Sequence, residues 1–374
     1  MSKYAMSINI PMMRSCRPPV RWLSGACALL MLFGLGVARA QTNDDAAAVN
    51  SPPAQRGAAL GLFSEDPAWS YVDMIDEMRE ACVSHVAVVV PYYMKNIRAV
   101  EIYAHPRHSM PMSTVERTIA DIRDRGMEVF LFPILRMEDD GFRGALKPAN
   151  LDTFFKSYTD FILMWARLAE KLDIPLMSVG SELSTMEVHA DRWRALIAQV
   201  RQVYRGKLTY STNWDHYFNV TFFDALDYAG LTGYFELQDK QGDISQRPEV
   251  AELVHSWRQV YVRLMRWQHR VQKPLLFTEV GYLSQEGAAA RPWEEGAQRP
   301  IDLELQRRLY EAFARVWDGE ARLVGNYFWN WFGWGGADSN EYTPRNKPAA
   351  REVQRWYGTA GSPAPHSAPA APTP

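Results

Sequence analysis

Apolar and polar positions along the chain switch repeatedly between two periods. Short runs rich in β-branched and aromatic residues, such as "HVAVVVPYY" and "MEVFLFPIL", predict strands buried on both faces, as in parallel sheets. Between them lie longer stretches whose apolar residues recur every three or four positions, the mark of an amphipathic helix. "AALGLF" (58–63) reads as the first strand. In "SEDPAWSYVDMIDEMREA", Asp66 is expected as a helix N-cap and Pro67 in the first turn. Val72, Ile75, Met78 and Cys82 follow at helical spacing. "TVERTIADIRDRG" is predicted to be a helix closed by Gly126.

The alternation continues. Phe154, Phe155, Tyr158, Phe161, Ile162, Trp165 and Leu168 form one stripe before "PLMSVG", and Trp193, Leu196, Ile197, Val200 and Val203 form another before "KLTYSTNW". A short helix in "FFDALDY" precedes "AGLTGYF", and a long one through Leu253, Trp257, Val260 and Leu264 precedes "PLLFTEVGY". A helix through Leu305, Leu309, Phe313 and Val316 precedes "VGNYFWNWF", and "PAAREVQRWY" closes the pattern. Eight strand–helix units in strict alternation predict an α/β fold, a single (β/α)8 TIM barrel spanning 58–357. About 300 residues is near the usual size of such a domain.

The flanks read differently. Arg14, Arg17 and Arg21 precede an apolar run from Leu23 to Val37, and "VARA" ends in a small-x-small cleavage pattern after Ala40. Residues 1–40 are therefore expected to be a secretory signal peptide, which is too short and wrongly flanked for a lasting membrane span. Residues 41–57 are expected to be a disordered polar linker, and 358–374 a disordered Pro/Ala-rich tail. Removing the five cations of 1–40 leaves 36 Lys and Arg against 43 Asp and Glu, a net charge of −7 that argues against a nucleic-acid partner. Of three cysteines, Cys16 and Cys27 leave with the signal, so Cys82 has no intramolecular partner and stability must come from burial. A periplasmic or secreted bacterial protein, monomeric after cleavage, is the expectation. Thirteen Trp and a 12% aromatic share suit a protein that meets flat, weakly charged ligands such as sugars, though most of these rings are expected in the core.

In a barrel of this kind the chemistry sits at the carboxyl ends of the strands. Two ends share one character: Glu182 follows "SVGS" and Glu279 follows "LLFT", each directly off an apolar strand. Strands four and seven lie three places apart in a ring of eight, so their ends can face across the mouth. Two carboxyls roughly 5–5.5 Å apart are what a retaining glycosidase needs, one as nucleophile and one as acid/base. A strand end also holds such a group more rigidly than a loop does. Asp215, Glu236 and Asp239 are rival carboxylates in more loop-like segments, while Glu65 and Glu138 read as helix-start or loop charges. No His-Glu-x-x-His, paired cysteines, phosphate loop or Gly-x-Ser-x-Gly elbow is present, and "HPRH" (105–108) is an isolated pair. No metal or cofactor is expected.

"VGSEL", "WRALIAQVRQVYRGKLTYSTNWD", "FFDALDYAGLTGYF", "FTEVGY", "FWNW" and "NKPAA", taken in order, resemble glycoside hydrolase family 113 over about 60–357. The resemblance implies retaining hydrolysis of β-1,4-mannan or mannooligosaccharides without a cofactor. It implies Glu182 as acid/base and Glu279 as nucleophile. It also implies Asn213 and Trp214 as a strand-five pair, Tyr234 as the strand-six tyrosine, and Trp329 with Trp331 as the aromatic floor. Tyr93 and Ser181 complete the expected substrate-binding set. A Trp face can stack on a pyranose, or equally pack in the core. Two departures stand out. Relatives in the clan carry Asn where this chain has Ser181, and "FPILRMED" lacks the His expected after its Pro. The glycan could be a mannan or an exopolysaccharide of the cell itself. Two other readings use the same residues: a glycan-binding barrel without turnover, and an accessory protein of exopolysaccharide export.

Overall fold

The computed structural model describes residues 53–359. The expected signal peptide, the linker up to 52 and the tail from 360 lie outside the described residues. The strands are β1 (Gln55–Gly61), β2 (His85–Met94), β3 (Glu128–Met137), β4 (Leu176–Ser181), β5 (Lys207–Thr212), β6 (Ala229–Thr232), β7 (Leu275–Val280) and β8 (Leu323–Phe328). All neighbours pair in parallel, and β8 returns to β1 through Gln55–Gly325 to Ala58–Phe328, closing the barrel. The helices are α1 (Val72–Glu80), α2 (Met112–Asp124), α3 (Leu151–Lys171), α4 (Ala190–Val203), α5 (Val250–Val271), α6 (Leu303–Trp317) and α7 (Pro348–Gly358).

Three sequence expectations shift. β1 begins at Gln55, so the last three residues of the stretch read as linker belong to the barrel, and Tyr327 holds Gln55 by a 2.9 Å hydrogen bond. Asp66 caps a turn rather than a helix: its carboxylate accepts from the Ala68 N–H, and α1 starts only at Val72. Cys82 lies beyond that helix with φ +60 and carries a free thiol. Finally, the helix expected in "FFDALDY" is a single 3-10 turn, Phe223–Ala225, after another at Tyr217–Asn219. So short a segment cannot recover the cost of nucleating an α-helix.

The core has two parts. Strand residues facing inward (Ala59, Ala87, Val89, Phe130, Phe132, Ile134, Leu176, Leu276 and Tyr327) fill the barrel, small ones on β1 and β2 making room for Phe130, Phe132 and Tyr327. Their strand neighbours Val86, Val88, Met177, Val179 and Phe277 face outward into the larger cluster under the helices. The predicted helical stripes supply the other side: Trp165, Trp193, Trp257 and Trp317 are all fully buried.

The strand register shifts at several places, and two of them matter for the site. β4 advances from Ser178 to Ser181 while its partner β5 advances only from Thr209 to Ser211. β7 advances from Phe277 to Glu279 while β6 moves only from Leu231 to Thr232, leaving Thr278 as an extra residue. Each is a β-bulge, which reverses the side on which the following residues point. Without the bulge, Glu279 would share the face of Phe277, whose ring packs outward against Trp317 and Phe313 of α6. Ser181 would likewise share the outward face of Val179.

Candidate active site

The bulge in β4 is stitched from several sides. Ser178 Oγ donates to the Gly180 carbonyl at 2.8 Å, and Tyr158 of α3 donates to the Val179 carbonyl at 2.9 Å. A Cβ on Gly180 would meet the Tyr158 hydroxyl at 2.7 Å and the Tyr210 ring at 2.9 Å, so only glycine fits between them. Glu182 then adopts φ +55, a left-handed conformation that costs a non-glycine residue about 1–2 kcal/mol. Two bonds hold it there. Its N–H donates to the Ser211 carbonyl at 2.8 Å, and the next N–H, Leu183, donates to Tyr210 Oη at 3.0 Å.

The two predicted carboxylates come together. Glu182 is 8% and Glu279 2% exposed, and Glu279 feels the charge of Glu182. Ser181 Oγ donates to Glu279 Oε1 at 3.5 Å, and Tyr234 Oη donates to Oε2 at 3.0 Å. Glu182 is held by the Thr232 hydroxyl and by Arg143, whose guanidinium donates to Oε2 at 2.7 Å and to the Ser181 carbonyl at 3.2 Å. Burial pushes Glu279 up to about 8, helped by the charge on Glu182 and opposed by Arg143, Tyr234 and Ser181. Burial also raises Glu182, with Arg143 and Thr232 opposing.

Other predicted residues divide into those at this centre and those away from it. Trp329, half-buried, sits on the inner barrel cluster and so forms a floor at its open end. Asn213 points a buried Oδ1 that has no hydrogen-bond partner. Trp214 is stacked against Trp293 of the β7–α6 loop at 5.2 Å and 18°, so one of its faces is covered by protein. Trp331 does not join the floor: it is buried and its indole N–H donates to Glu77 of α1 at 3.1 Å. Its backbone N–H is bound to the Ala59 carbonyl. Tyr93 belongs to a separate polar cluster with His105, His108 and Arg136. Those histidines pair with Glu138 and Glu65. Asp215 lies close enough to Glu182 to raise it, but is itself exposed, and Glu236 is paired with Lys240. Among the described residues, no three His, Cys, Asp or Glu gather to hold a metal ion.

Sequence reasoning missed three contributors. Arg143 lies in the long β3–α3 connection, in a 3-10 turn rather than at a strand end. The one signal for it was "GFRG": a Cβ on Gly144 would come within 3.1 Å of the Glu182 carbonyl, so the glycine lets this loop touch the β4 end. Tyr342 is fully buried, feels the charge of both carboxylates, and donates to the Pro292 carbonyl at 2.6 Å. Thr232 is the last residue of β6. Neither a tyrosine in a polar loop nor a threonine at the end of an apolar strand distinguishes itself before the chain is folded.

Known proteins share this barrel. The chain resembles two mannanase structures of family 113, a β-1,4-mannanase and a β-mannanase. One, a complex, superposes with a TM-score of 0.73 at 22% identity, covering 82% of this chain and 99% of the other. The other is the β-mannanase AaManA from Alicyclobacillus acidocaldarius in complex with ManMIm, at 0.72 and 23%, covering 83% and 99%. A Ruminococcus gnavus β-glucuronidase matches at 0.55 and 13%, covering 82% of this chain and 50% of its own. At such identities these likenesses establish the barrel fold alone. Among curated proteins none matches the chain. The family model for Glycoside Hydrolase Family 113 matches residues 58–347, almost the whole barrel. The chain belongs to glycoside hydrolase family 113, and the protein is a glycoside hydrolase.

Proposed function

We propose that this hydrolase cleaves β-1,4-linked mannan or mannooligosaccharides with retention of anomeric configuration, and that it works in the periplasm or outside the cell. The observation that carries the mechanism is the unequal dressing of the two buried carboxyls. Glu279 receives hydroxyl donors on both oxygens, Ser181 at 3.5 Å and Tyr234 at 3.0 Å, which stabilise its charged form against the rise that burial imposes. Glu279 attacks the anomeric carbon as the bond to the leaving oxygen breaks, and the proton of Glu182 passes to that oxygen. Water then attacks the same carbon, gives its proton to Glu182 and releases Glu279. The Trp329 ring supports the sugar, and Asn213 Oδ1 accepts from one of its hydroxyls. The mannan substrate rests on family membership and on the names of the two mannanases. The export reading rests on the first 40 residues.

Proton NMR of mannohexaose hydrolysis tests the stereochemistry: the β-anomer must appear first, and an initial α-anomer sinks the double-displacement reading. Glu182→Gln and Glu279→Gln should each lower kcat by about 10²–10⁴. Mass spectrometry of the periplasmic fraction should find a chain beginning at Gln41. One observation favours a second reading, a glycan-binding barrel without turnover: Arg143 ion-pairs with the very carboxyl that must carry the proton. Against it, burial outweighs Arg143 and still lifts Glu182 above the usual carboxylate range. Calorimetric binding of mannohexaose with no product on chromatography would establish the second reading.

A further inference from the structure

Trp334 is 83% exposed, the most exposed large apolar side chain among the described residues. A ring of this size left in water normally marks a binding surface. Its loop is not loose. Gly333, Gly335 and Gly336 have φ of +100, +65 and +87, and a Cβ on Gly335 would meet the Arg345 carbonyl at 2.1 Å. Arg345 donates to the Gly333 carbonyl and accepts from the Gly336 N–H at 2.9 Å. Arg345 is itself fixed by Glu77 of α1 through bonds of 2.6 and 2.7 Å. Trp69 braces the indole edge-on, with ring centroids 6.2 Å apart at 90°. Much structure is thus devoted to holding one apolar ring where it touches little else.

The loop that carries the ring follows directly on an aromatic cluster that includes Trp329 of the catalytic mouth. Phe63 lies 6.4 Å from Trp329 and 5.6 Å from Phe332, and Trp334 is two residues beyond Phe332. Five residues separate Trp334 from Trp329, a reach of at most about 17 Å for extended chain. We infer that Trp334, braced by Trp69, is a distal subsite that stacks on a pyranose ring of the same oligosaccharide whose scissile bond lies between Glu182 and Glu279. An indole face suits the apolar face of such a ring and needs no charged partner. This inference rests on the glycan reading above and extends it to a longer chain.

The test uses the full chain carrying Glu279→Gln to prevent turnover, with β-1,4-mannotriose and mannohexaose titrated calorimetrically. Adding Trp334→Ala should lower the ratio of hexaose to triose affinity about tenfold, and Trp334→Phe should restore most of it. If the parent binds hexaose and Trp334→Ala keeps the full ratio, the distal subsite is overturned while the mannan reading stands. If the parent binds neither oligosaccharide, the mannan reading fails and takes the subsite with it. If the parent sediments as a dimer and Trp334→Ala as a monomer, the ring faces a second copy and the inference is overturned. Unchanged thermal unfolding of Trp334→Ala, as expected for so exposed a side chain, shows that any loss is local.

Discussion

Replacing Glu279 by Gln keeps the shape of a buried group and removes its titration. The unfolded chain releases the Glu279 proton near 4.5, the ordinary value, whereas the folded chain holds it to about 8. A pKa raised by folding gives stability that is whole below the unfolded value and lost as pH climbs through the folded one. Each pH unit in that window corresponds to about 1.4 kcal/mol. Because part of the rise belongs to repulsion from Glu182, roughly 2–4 kcal/mol of the full span is assigned to Glu279 at about pH 9. Glu279→Gln should therefore match the wild type near pH 4.5 and exceed it by that amount at alkaline pH, since the amide oxygen can still accept from Tyr234. Urea unfolding followed by tryptophan fluorescence, at fixed ionic strength across this range, measures the difference directly. A difference that does not grow with pH, or a Gln variant that is the less stable at about pH 9, refutes the burial argument. An active site that destabilises its own fold is the expected counterpart of two acids held out of water.

A charged nucleophile beside a proton-bearing acid also predicts a bell-shaped pH dependence of kcat/KM, whose alkaline limb, loss of the Glu182 proton, lies above the ordinary carboxylate range because burial raises that group. Arg143→Met removes the cation that opposes protonation of Glu182, so that limb should move to higher pH, and Arg143→Lys should bring it back. Gly180→Ala places a methyl against Tyr158 and Tyr210; it should cost about 1–3 kcal/mol in urea and lower kcat more than it changes KM, because the bulge aims the next residues. Trp331→Phe should lower thermal stability by about 1–2 kcal/mol, as its indole bond to Glu77 is lost, with KM for mannohexaose unmoved. Trp329→Phe should do the reverse, raising KM with little change in unfolding.

The barrel was legible because its signals are local and repeated. Strand runs and helical stripes depend on near neighbours in sequence, and every stripe from Phe154 to Leu309 found its place under the predicted helices. The exceptions were short segments. In Asp66–Tyr71 and Phe223–Ala225, a few residues choose between a turn and a helix according to what they pack against. The same locality explains why Glu182 and Glu279 stood out, since an acid directly after an apolar strand can be read without knowing the fold. It also explains why Trp331 was misplaced: nothing in "FWNW" says which of two indoles turns toward Glu77, 254 residues earlier.

What the sequence determined alone, then, was the alternation of strands and helices, its closure into eight, and two acids at strand ends. Tertiary structure decided which way those acids face. The extra residues before Ser181 and at Thr278 become bulges only against the register of β5 and β6. Arg143 meets Glu182 only because Gly144 lets a distant loop touch the β4 end. Periodicity is carried by bonds along one chain segment, whereas side-chain direction and charge pairing depend on register and contact between segments.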